Sequence, residues 1–440
     1  MFNFLKNNPL LRVFGYSSTA TIVQFITGFV TIKIIAHFLG TEGMALLGNF
    51  KNFNSSLKKM STLGFDSGIT KLISEHKDNS KKTNQIISTS LISRVGIAIV
   101  FSMLLVVFAT YLNAELFQVF NFKYLIYALA ISLPFYTVSA LIIAVINGYQ
   151  KFKHLITANI ATSIIGLGIS AILIWHHQLP GSILAIILIE GLSIGISYYF
   201  LKKSKISFQI QLDLFSNTYL KVLGQFSVMT LTSALIVPGS HFLIRNEIID
   251  TLDIHSAGYW EALIGISNYY MLVITSVISM YYLPKLSSIH TTIEFKKELI
   301  IFFKTLVPLF ILGITFLYFL REPVVLIVLN ENFLPVADLF LWQLIGDLFN
   351  VLSLAFGYQI LAKTMTKTYI TVEIIFYSIY LLLVHFLLPK LDLNGVVISY
   401  AITSIISLII MLFIFRKTLF SHPNRNERTT LNPTVKNNKT

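Results

Sequence analysis

The sequence predicts an all-α polytopic membrane protein, with twelve transmembrane helices in two six-helix bundles around a central cavity. Of the 440 residues, 55% are hydrophobic and only 12% are charged, and the mean hydropathy is +0.74. This composition lies outside the range of soluble domains. Two further observations support the class: the basic residues collect on one predicted side of the membrane, and the two halves of the chain repeat a set of residues in order.

The long apolar stretches define the predicted spans. A helix rises about 1.5 Å per residue, so each stretch can cross a bilayer with some tilt. The first stretch lacks a small-residue cleavage site, which favours a retained span over a signal peptide. The spans are predicted at 12–39, 43–70, 86–112, 118–147, 154–175, 180–201, 218–245, 257–283, 298–320, 335–362, 368–388 and 394–416.

The distribution of lysine and arginine predicts the orientation. With the N-terminus in the cytoplasm, 24 of the 33 basic residues fall on the cytoplasmic side, 4 fall outside and the rest lie within spans. This positive-inside pattern places both termini in the cytoplasm, and it explains the net charge of +13 better than nucleic-acid binding does. The predicted domains are an N-terminal bundle at 1–201, a cytoplasmic linker at 202–217, a C-terminal bundle at 218–417 and a disordered cytoplasmic tail at 418–440.

An internal repeat relates the two predicted bundles. Asn54 matches Asn268 at a shift of 214 residues, and Gly181 matches Gly395 at the same shift. Because each half holds an even number of helices, both repeats share one orientation. The predicted pseudo-two-fold axis therefore runs along the membrane normal, with the cavity between the bundles.

The stretch from Ala257 to Ser288 predicts a spanning helix with a polar face. Trp260 and Tyr282 lie near its two ends, which is typical of an interfacial aromatic belt. Glu261 and Asn268 are seven residues apart and so share one face. A polar face on a spanning helix is expected to turn toward protein or a watery cavity.

Span two carries basic residues at depth. Lys51, Asn54 and Lys58 share one helical face. A lysine at the centre of a spanning helix costs about 2.5–3.5 kcal/mol, so the pair predicts a hydrated, anion-binding cavity. The alternative is that Lys58 and Lys59 reach inward interfacial water, or that Lys51 pairs with an acid.

A second basic group is predicted in the outer thirds of spans one and seven. Lys33 with His37, and His241 with Arg245, each lie four residues apart. Together they could form a collar for phosphate, in which the Arg245 guanidinium would bind bidentately. The alternative is that they anchor the helices at the interface.

Five carboxylates are candidates for coupling or ion pairing. Asp66 continues the polar face of span two, and the others are Glu190, Glu261, Asp347 and Glu373. Any of them could carry a proton or a sodium ion, although pairing with the lysines is favoured for most. A proton or sodium gradient is therefore the candidate energy source. No cofactor or metal site is predicted, and the chain contains no cysteine.

Several segments together resemble a known family, the Wzx-type flippases of O-antigen and enterobacterial common antigen. The segments are Ala257 to Ser287, Asp338 to Asp347, Gly357-Tyr358, Ala362-Lys363 and Gly64 to Lys71. The likeness covers nearly the whole chain and is closest in the second half. It implies the polysaccharide-transporter branch of the multidrug/oligosaccharidyl-lipid/polysaccharide (MOP) exporter superfamily.

The resemblance implies a function and a location. The implied substrate is an undecaprenyl-pyrophosphate-linked oligosaccharide, which is turned from the cytoplasmic to the periplasmic leaflet of a bacterial inner membrane. Membrane lipids, and a glycan polymerase with its chain-length machinery, are the implied partners. A basic cavity fits the pyrophosphate, and a gap between bundles would leave the lipid tail in the membrane.

Three other functions stay open. Another exporter of the superfamily, for multidrug or peptidoglycan-precursor transport, is the first; a cation exporter would favour an acidic cavity. A membrane glycan polymerase, ligase or glycosyltransferase is the second, although no sizeable outer loop, nucleotide loop or metal spacing is present. A purely structural membrane protein is the third, but it would leave the intramembrane polar residues unexplained.

Overall fold

The computed structural model describes the backbone of most of the chain. It covers residues 9–117, 120–278, 282, 285, 286, 289, 291–363 and 365–420, with side chains from residue 19 onward except those of 212, 226 and 420. Within these ranges the secondary structure is entirely helical. A helix satisfies its own backbone hydrogen bonds, which hydrocarbon requires of a spanning segment. The all-helical part of the predicted fold class is therefore confirmed, and the tail after residue 420 lies outside the described residues.

The first seven helices run to residue 251. They are α1 Pro9–Ser61, α2 Asp66–His76, α3 Ser80–Val107, α4 Ala109–Phe117, α5 Lys123–Gly148, α6 Phe152–Lys203 and α7 Asn217–Thr251, with a 3₁₀ turn at Leu212–Leu214 between the last two.

Six further helices follow. They are α8 Ile254–Val277, α9 Thr292–Phe319, α10 Arg321–Val328, α11 Val336–Ala362, α12 Thr366–Ile414 and α13 Arg416–Phe420, with a 3₁₀ turn at Glu331–Phe333. The connection predicted at 321–334 is thus largely helical, because its apolar run continues through Val324 to Val328.

Eight helical segments in the described ranges are long and apolar enough to span a membrane. Three of them contain one non-helical residue each: Gly40 with φ of 63°, Gln178 with φ of 46° and Asp392 with φ of 50°. The breaks lie where the sequence predicts the turns between spans one and two, five and six, and eleven and twelve. The number of membrane crossings stays a prediction.

Two of the helix breaks lie at matching positions of the predicted repeat. Gln178 in α6 and Asp392 in α12 lie at the same shift of 214 that relates Gly181 to Gly395. A Cβ atom at Gly181 would lie 2.0 Å from the carbonyl oxygen of the residue eight positions earlier, and at Gly395 the corresponding distance is 2.4 Å. Only glycine allows the chain to pass its own preceding turn this closely. The matched glycines therefore have matched structural roles.

The chain divides into two compact units, Met1–Arg245 and Asn246–Thr440. The boundary lies within α7 rather than in the predicted linker at 202–217. Most of α7 belongs to the first unit because it packs there: Leu223 joins the core that Ile69, Ile86 and Val145 form. The division of the chain into six helices plus six stays a prediction.

The second unit has its own aromatic core. The Phe356 and Phe415 rings lie 5.5 Å apart, and the Phe295 and Phe415 rings lie 5.7 Å apart. Two aromatic side chains predicted for an interfacial belt are instead buried: Trp260 is 1% exposed and Tyr282 is 3% exposed. The belt prediction is wrong for both. The Tyr282 hydroxyl donates to a backbone carbonyl oxygen of α11, so a partner inside the protein replaces interfacial water.

The outer faces of the helices expose large apolar side chains. Val107 at the end of α3 is 73% exposed, and Phe319 at the end of α9 is 75% exposed. In water such faces would form extended apolar patches. In a bilayer they meet lipid at no cost, as expected of a multi-pass membrane protein.

Candidate functional site

A cavity of about 780 Å³ opens within the first unit. Helices α2, α5 and α6 provide most of its wall, and α5 packs closely against both α2 and α6. Asp66, Ser67, Thr70 and Lys71 from α2 all face it, because residues four apart share a helical face. The cavity is large enough for a ligand the size of a small oligosaccharide.

The cavity wall is rich in side chains that donate and accept hydrogen bonds. Hydroxyl and amide residues supply most of its polar surface: Gln24, Ser67, Thr70, Ser74, Ser139, Asn147, Gln150, Asn159, Thr162, Ser163, Ser193 and Ser197. Asp66 and Lys71 add one carboxylate and one ammonium group. Such a wall can exchange hydrogen bonds with a polyhydroxylated ligand. Five of its hydroxyl groups already donate to backbone carbonyl oxygens and offer their acceptor lone pairs to a ligand: Thr70, Thr162, Ser163, Ser193 and Ser197.

Lys58, Asn54 and Glu190 meet beside this cavity. The Lys58 Nζ atom lies 2.7 Å from Glu190 Oε1, and the Asn54 amide donates to the same oxygen at 2.8 Å. The ammonium group also lies 5.2 Å from the ring centre of Tyr136, a residue that lines the cavity. Three residues selected from the sequence are thus brought together. Glu190 is the counter-ion of Lys58. This is one of the two roles considered for Glu190 from the sequence, namely pairing with a lysine.

Asp66 also forms an ion pair, but its partner is an arginine. Arg94 Nη2 lies 2.8 Å from Asp66 Oδ1, and the guanidinium is completely buried while the Asp66 side chain is 36% exposed. The predicted orientation counts Arg94 among the cytoplasmic basic residues, although it lies within the span predicted at 86–112. The structure shows that it is an interior residue of α3.

Arg245 lies in the interior of the first unit. Its side chain is 0% exposed and donates from Nη1 to Asn49 Oδ1 at 2.8 Å. The Asn52 amide, with its oxygen toward the guanidinium, accepts from Nη1 and Nη2 at 3.2 Å. Two amide side chains therefore contact the guanidinium, and its role in anion binding stays a prediction. Of the other three candidates for the basic collar, Lys33 and His37 are exposed on α1 and His241 is half-buried on α7.

The remaining candidates from the sequence are Lys51, Glu261, Asn268 and Glu373, and they differ in exposure. Lys51 and Glu261 are half-buried, as is Glu373, while Asn268 is exposed. The neighbour of Asn268 in sequence, Ser267, contacts a buried carboxylate, and so does Tyr270 of the same helix.

Asp347 is the buried carboxylate of the second unit. It is 1% exposed and accepts hydrogen bonds from Ser267 Oγ at 2.8 Å and Tyr400 Oη at 2.9 Å. The Tyr270 hydroxyl and the Gln343 amide also donate to it. No basic side chain joins these contacts in the described part of the chain. Pairing with lysine was favoured for most of the carboxylates rather than for each of them, and at Asp347 neutral donors stabilise the charge instead.

Several of these partners could not be selected from the sequence. Tyr136, Tyr270 and Tyr400 are three of 20 tyrosines, and nothing in their spacing distinguishes them. Arg94, by contrast, could have been selected from the sequence, since it lies well inside an apolar helix. A charged residue at that depth requires a partner, and the nearest acidic candidate in sequence was Asp66.

Two groups outside the spans have shifted pKa values. The backbone N–H of Ser256 donates to Asp253 at the start of α8, and this bond lowers the pKa of the Asp253 carboxyl. The cap therefore contributes stability above the ordinary carboxyl pKa, and that contribution is lost as pH falls through the lowered value. Partial burial lowers the pKa of Lys363, which caps the end of α11.

Comparison with solved structures defines the class of the fold. A multidrug resistance MATE family transporter of the MOP superfamily, in an inward-facing conformation, aligns with a TM-score of 0.72 at 13% identity over 91% of this chain and 98% of that one. The lipid II flippase MurJ, in an inward closed conformation, aligns with a TM-score of 0.71 at 18% identity over 91% and 87%. The chain therefore has the fold of MOP-superfamily transporters.

Sequence comparison narrows the class to a family. The lipid III flippase of Escherichia coli (strain K12) is 24% identical over 392 residues, which cover 89% of this chain and 94% of that protein. Residues 10–290 match the family described as "Polysaccharide biosynthesis protein". The chain belongs to this family. The resemblance predicted from the sequence is confirmed.

Proposed function

We propose that this protein is a flippase for undecaprenyl-pyrophosphate-linked oligosaccharide, which it moves from the cytoplasmic to the periplasmic leaflet of the inner membrane by alternating access. The cavity of about 780 Å³, lined by hydroxyl and amide side chains, is the observation that carries the proposal. A glycan cannot cross hydrocarbon unaided, and this wall offers the hydrogen bonds that it loses on leaving water. The family membership and the named flippase relative support the same substrate class.

The twelve-span topology is part of this proposal. Counting each side of the three helix breaks separately, and adding α8, gives twelve segments. With both termini in the cytoplasm, the breaks at Gly40, Gln178 and Asp392 fall on the periplasmic side. The short turns there leave no room for an enzymatic domain, so the activity is transport rather than glycan polymerisation or ligation.

Coupling to an ion gradient is assigned to the second unit. Asp347 is buried among Ser267, Tyr270, Gln343 and Tyr400, and either a proton or a sodium ion would neutralise it there. Oxygen ligands of this kind suit a hard cation, and hydroxyl groups can donate or accept as the carboxylate changes state. Lys58, by contrast, has Glu190 as its counter-ion.

Transport in proteoliposomes tests the proposal. Defined lipid-linked oligosaccharides are placed in both leaflets, and the fraction accessible to an external glycan-modifying enzyme is followed with and without pH and sodium gradients. Faster exchange than in protein-free vesicles is the expected result. Export of a cationic drug without any movement of lipid-linked glycan would instead identify a multidrug exporter.

A further inference from the structure

The Asp66–Arg94 pair connects the interior of the first unit to the wall of its cavity. Arg94 is 0% exposed on α3 and donates from Nη2 to Asp66 Oδ1 at 2.8 Å. Asp66 lies in the first turn of α2, lines the cavity and keeps 36% of its side chain exposed. The buried guanidinium and the positive end of the helix dipole both lie beside this carboxyl group. A carboxyl group whose counter-ion lies behind it, on the protein side, therefore stands at the cavity wall.

Both side chains of this pair have hydrogen-bonding groups that the bond between them does not use. Within the described residues, Arg94 Nε and Nη1 have no hydrogen-bond partner, and the guanidinium lies 6.0 Å from the ring centre of Phe65. Asp66 is thus the one hydrogen-bond partner of the arginine side chain within the described residues. That bond occupies Oδ1, and a carboxylate has about four lone-pair sites. The others are available to a ligand in the cavity.

We propose that Asp66 is a specificity-determining residue that accepts hydrogen bonds from sugar hydroxyl or amino groups of the carried glycan, and that Arg94 is its positioning residue. This inference rests on the proposed function and deepens it. An ionised carboxylate accepts hydrogen bonds from neighbouring hydroxyls and attracts an ammonium group, but it repels another carboxylate. The cavity therefore selects neutral or amino sugars over uronic acids at this position.

The neighbours of Asp66 support a sugar ligand. Ser67 and Thr70 extend the same helix face with hydroxyl groups, and Tyr136 adds an aromatic ring to the same wall. Lys71, the other charged residue of the lining, lies 3.9 Å from Glu75 and is 58% exposed. Its charge is therefore partly screened by water and partly balanced. Asp66, with a buried counter-ion behind it, is the charge that a ligand meets at close range.

The test compares three lipid-linked disaccharides that differ in one sugar, which is a neutral hexose, an amino sugar or a uronic acid. Binding to the full chain in nanodiscs and flipping in proteoliposomes are both measured. The unmodified protein is expected to bind the neutral and amino forms about tenfold more tightly than the uronic form. Asp66→Asn should reduce that ratio to about twofold or less, because the repulsion is removed. The matched control Asp78→Asn changes an exposed carboxylate outside the cavity lining, so it should leave the preference for the neutral form over the uronic form in place.

The Asp66→Asn variant leaves a buried arginine without a counter-ion and could fail to fold. A second variant avoids this problem. Asp66→Asn combined with Arg94→Met removes both charges and should show the same loss of discrimination as Asp66→Asn. Arg94→Lys keeps the charge but not the planar donor, so its ratio should fall between those of the unmodified protein and Asp66→Asn.

The outcomes separate this inference from the proposed function. If the unmodified protein flips the glycans but the charge-free double variant keeps the tenfold preference, the inference is overturned and the pair is only structural. A preference of the unmodified protein for the uronic form would also overturn it. If the unmodified protein neither binds nor flips any of the three carriers, the proposed function fails and the inference fails with it.

Discussion

Replacing Lys58 by methionine separates a structural role for this lysine from a role in transport. Its ammonium group lies 2.7 Å from Glu190 Oε1, and the Glu190 side chain is 9% exposed. Removing the lysine leaves a buried carboxylate whose remaining hydrogen bond comes from Asn54. Breaking a buried ion pair costs about 3–5 kcal/mol. We expect a loss of about 3 kcal/mol, the lower end, because the Lys58 side chain is 28% exposed and partly screened.

The double variant Lys58→Met with Glu190→Gln should recover most of this stability. It removes both charges, so no ion is left unpaired, and an amide can still meet Asn54. If Lys58 also acts on the pyrophosphate, the double variant should reach the membrane at normal levels but fail to flip lipid-linked glycan. Full transport by the double variant would show that the lysine only balances Glu190.

Two measurements check this prediction: the thermal unfolding midpoint of the purified protein, and rescue of a flippase-deficient strain. Lys59→Met is the matched control, because this neighbouring lysine is exposed and should change neither result. A Lys58→Met protein with an unchanged unfolding midpoint would refute the reasoning, since it would mean that the ion pair contributes nothing to stability.

Three further predictions follow from the structure. Asp347→Asn should uncouple transport from an ion gradient while binding of lipid-linked glycan stays measurable; a variant that fails to insert would mark a structural residue. Gly395→Ala should lower stability by about 3 kcal/mol in thermal unfolding, because its Cβ would lie 2.4 Å from a carbonyl oxygen, whereas Gly313→Ala, with open space around it, should not. In this cysteine-free chain, a cysteine at Ser207 should label only from the cytoplasm and one at Thr251 only from outside, and both positions are exposed; the reverse result would overturn the orientation.

Much of the helical framework could be predicted because hydrocarbon permits few alternatives. Apolar length alone locates the long helices, and the repeat locates Gly181 and Gly395, which mark the ends of matched turns. The packing of α7 against the first unit could not be predicted in this way. Hydropathy describes how each helix meets lipid, whereas the partner of a helix depends on the shapes of side chains such as Leu223 in the core.

The candidate site was only partly predictable for a similar reason. Depth within a span identified Lys58, Glu190 and Asp347 as candidate site residues, since a charged side chain is costly there unless it has a partner or a function. Depth does not identify the partner. Glu190 meets Lys58 across 132 positions of sequence, whereas Asp347 meets hydroxyl groups of tyrosine and serine that occur throughout the chain.

The carboxylates of the two units have different kinds of partner, and from this difference we expect the two units to have different roles in transport. In the first unit, Glu190 and Asp66 each have a basic partner within 2.8 Å. Each pair carries no net charge, and the pairs lie at or beside the cavity wall through which a glycan would pass. Asp347 has hydroxyl and amide donors instead, which stabilise its charge without cancelling it. A bound cation would change its net charge from minus one to zero. We therefore expect gradient dependence to follow substitutions around Asp347, and glycan preference to follow substitutions around Asp66.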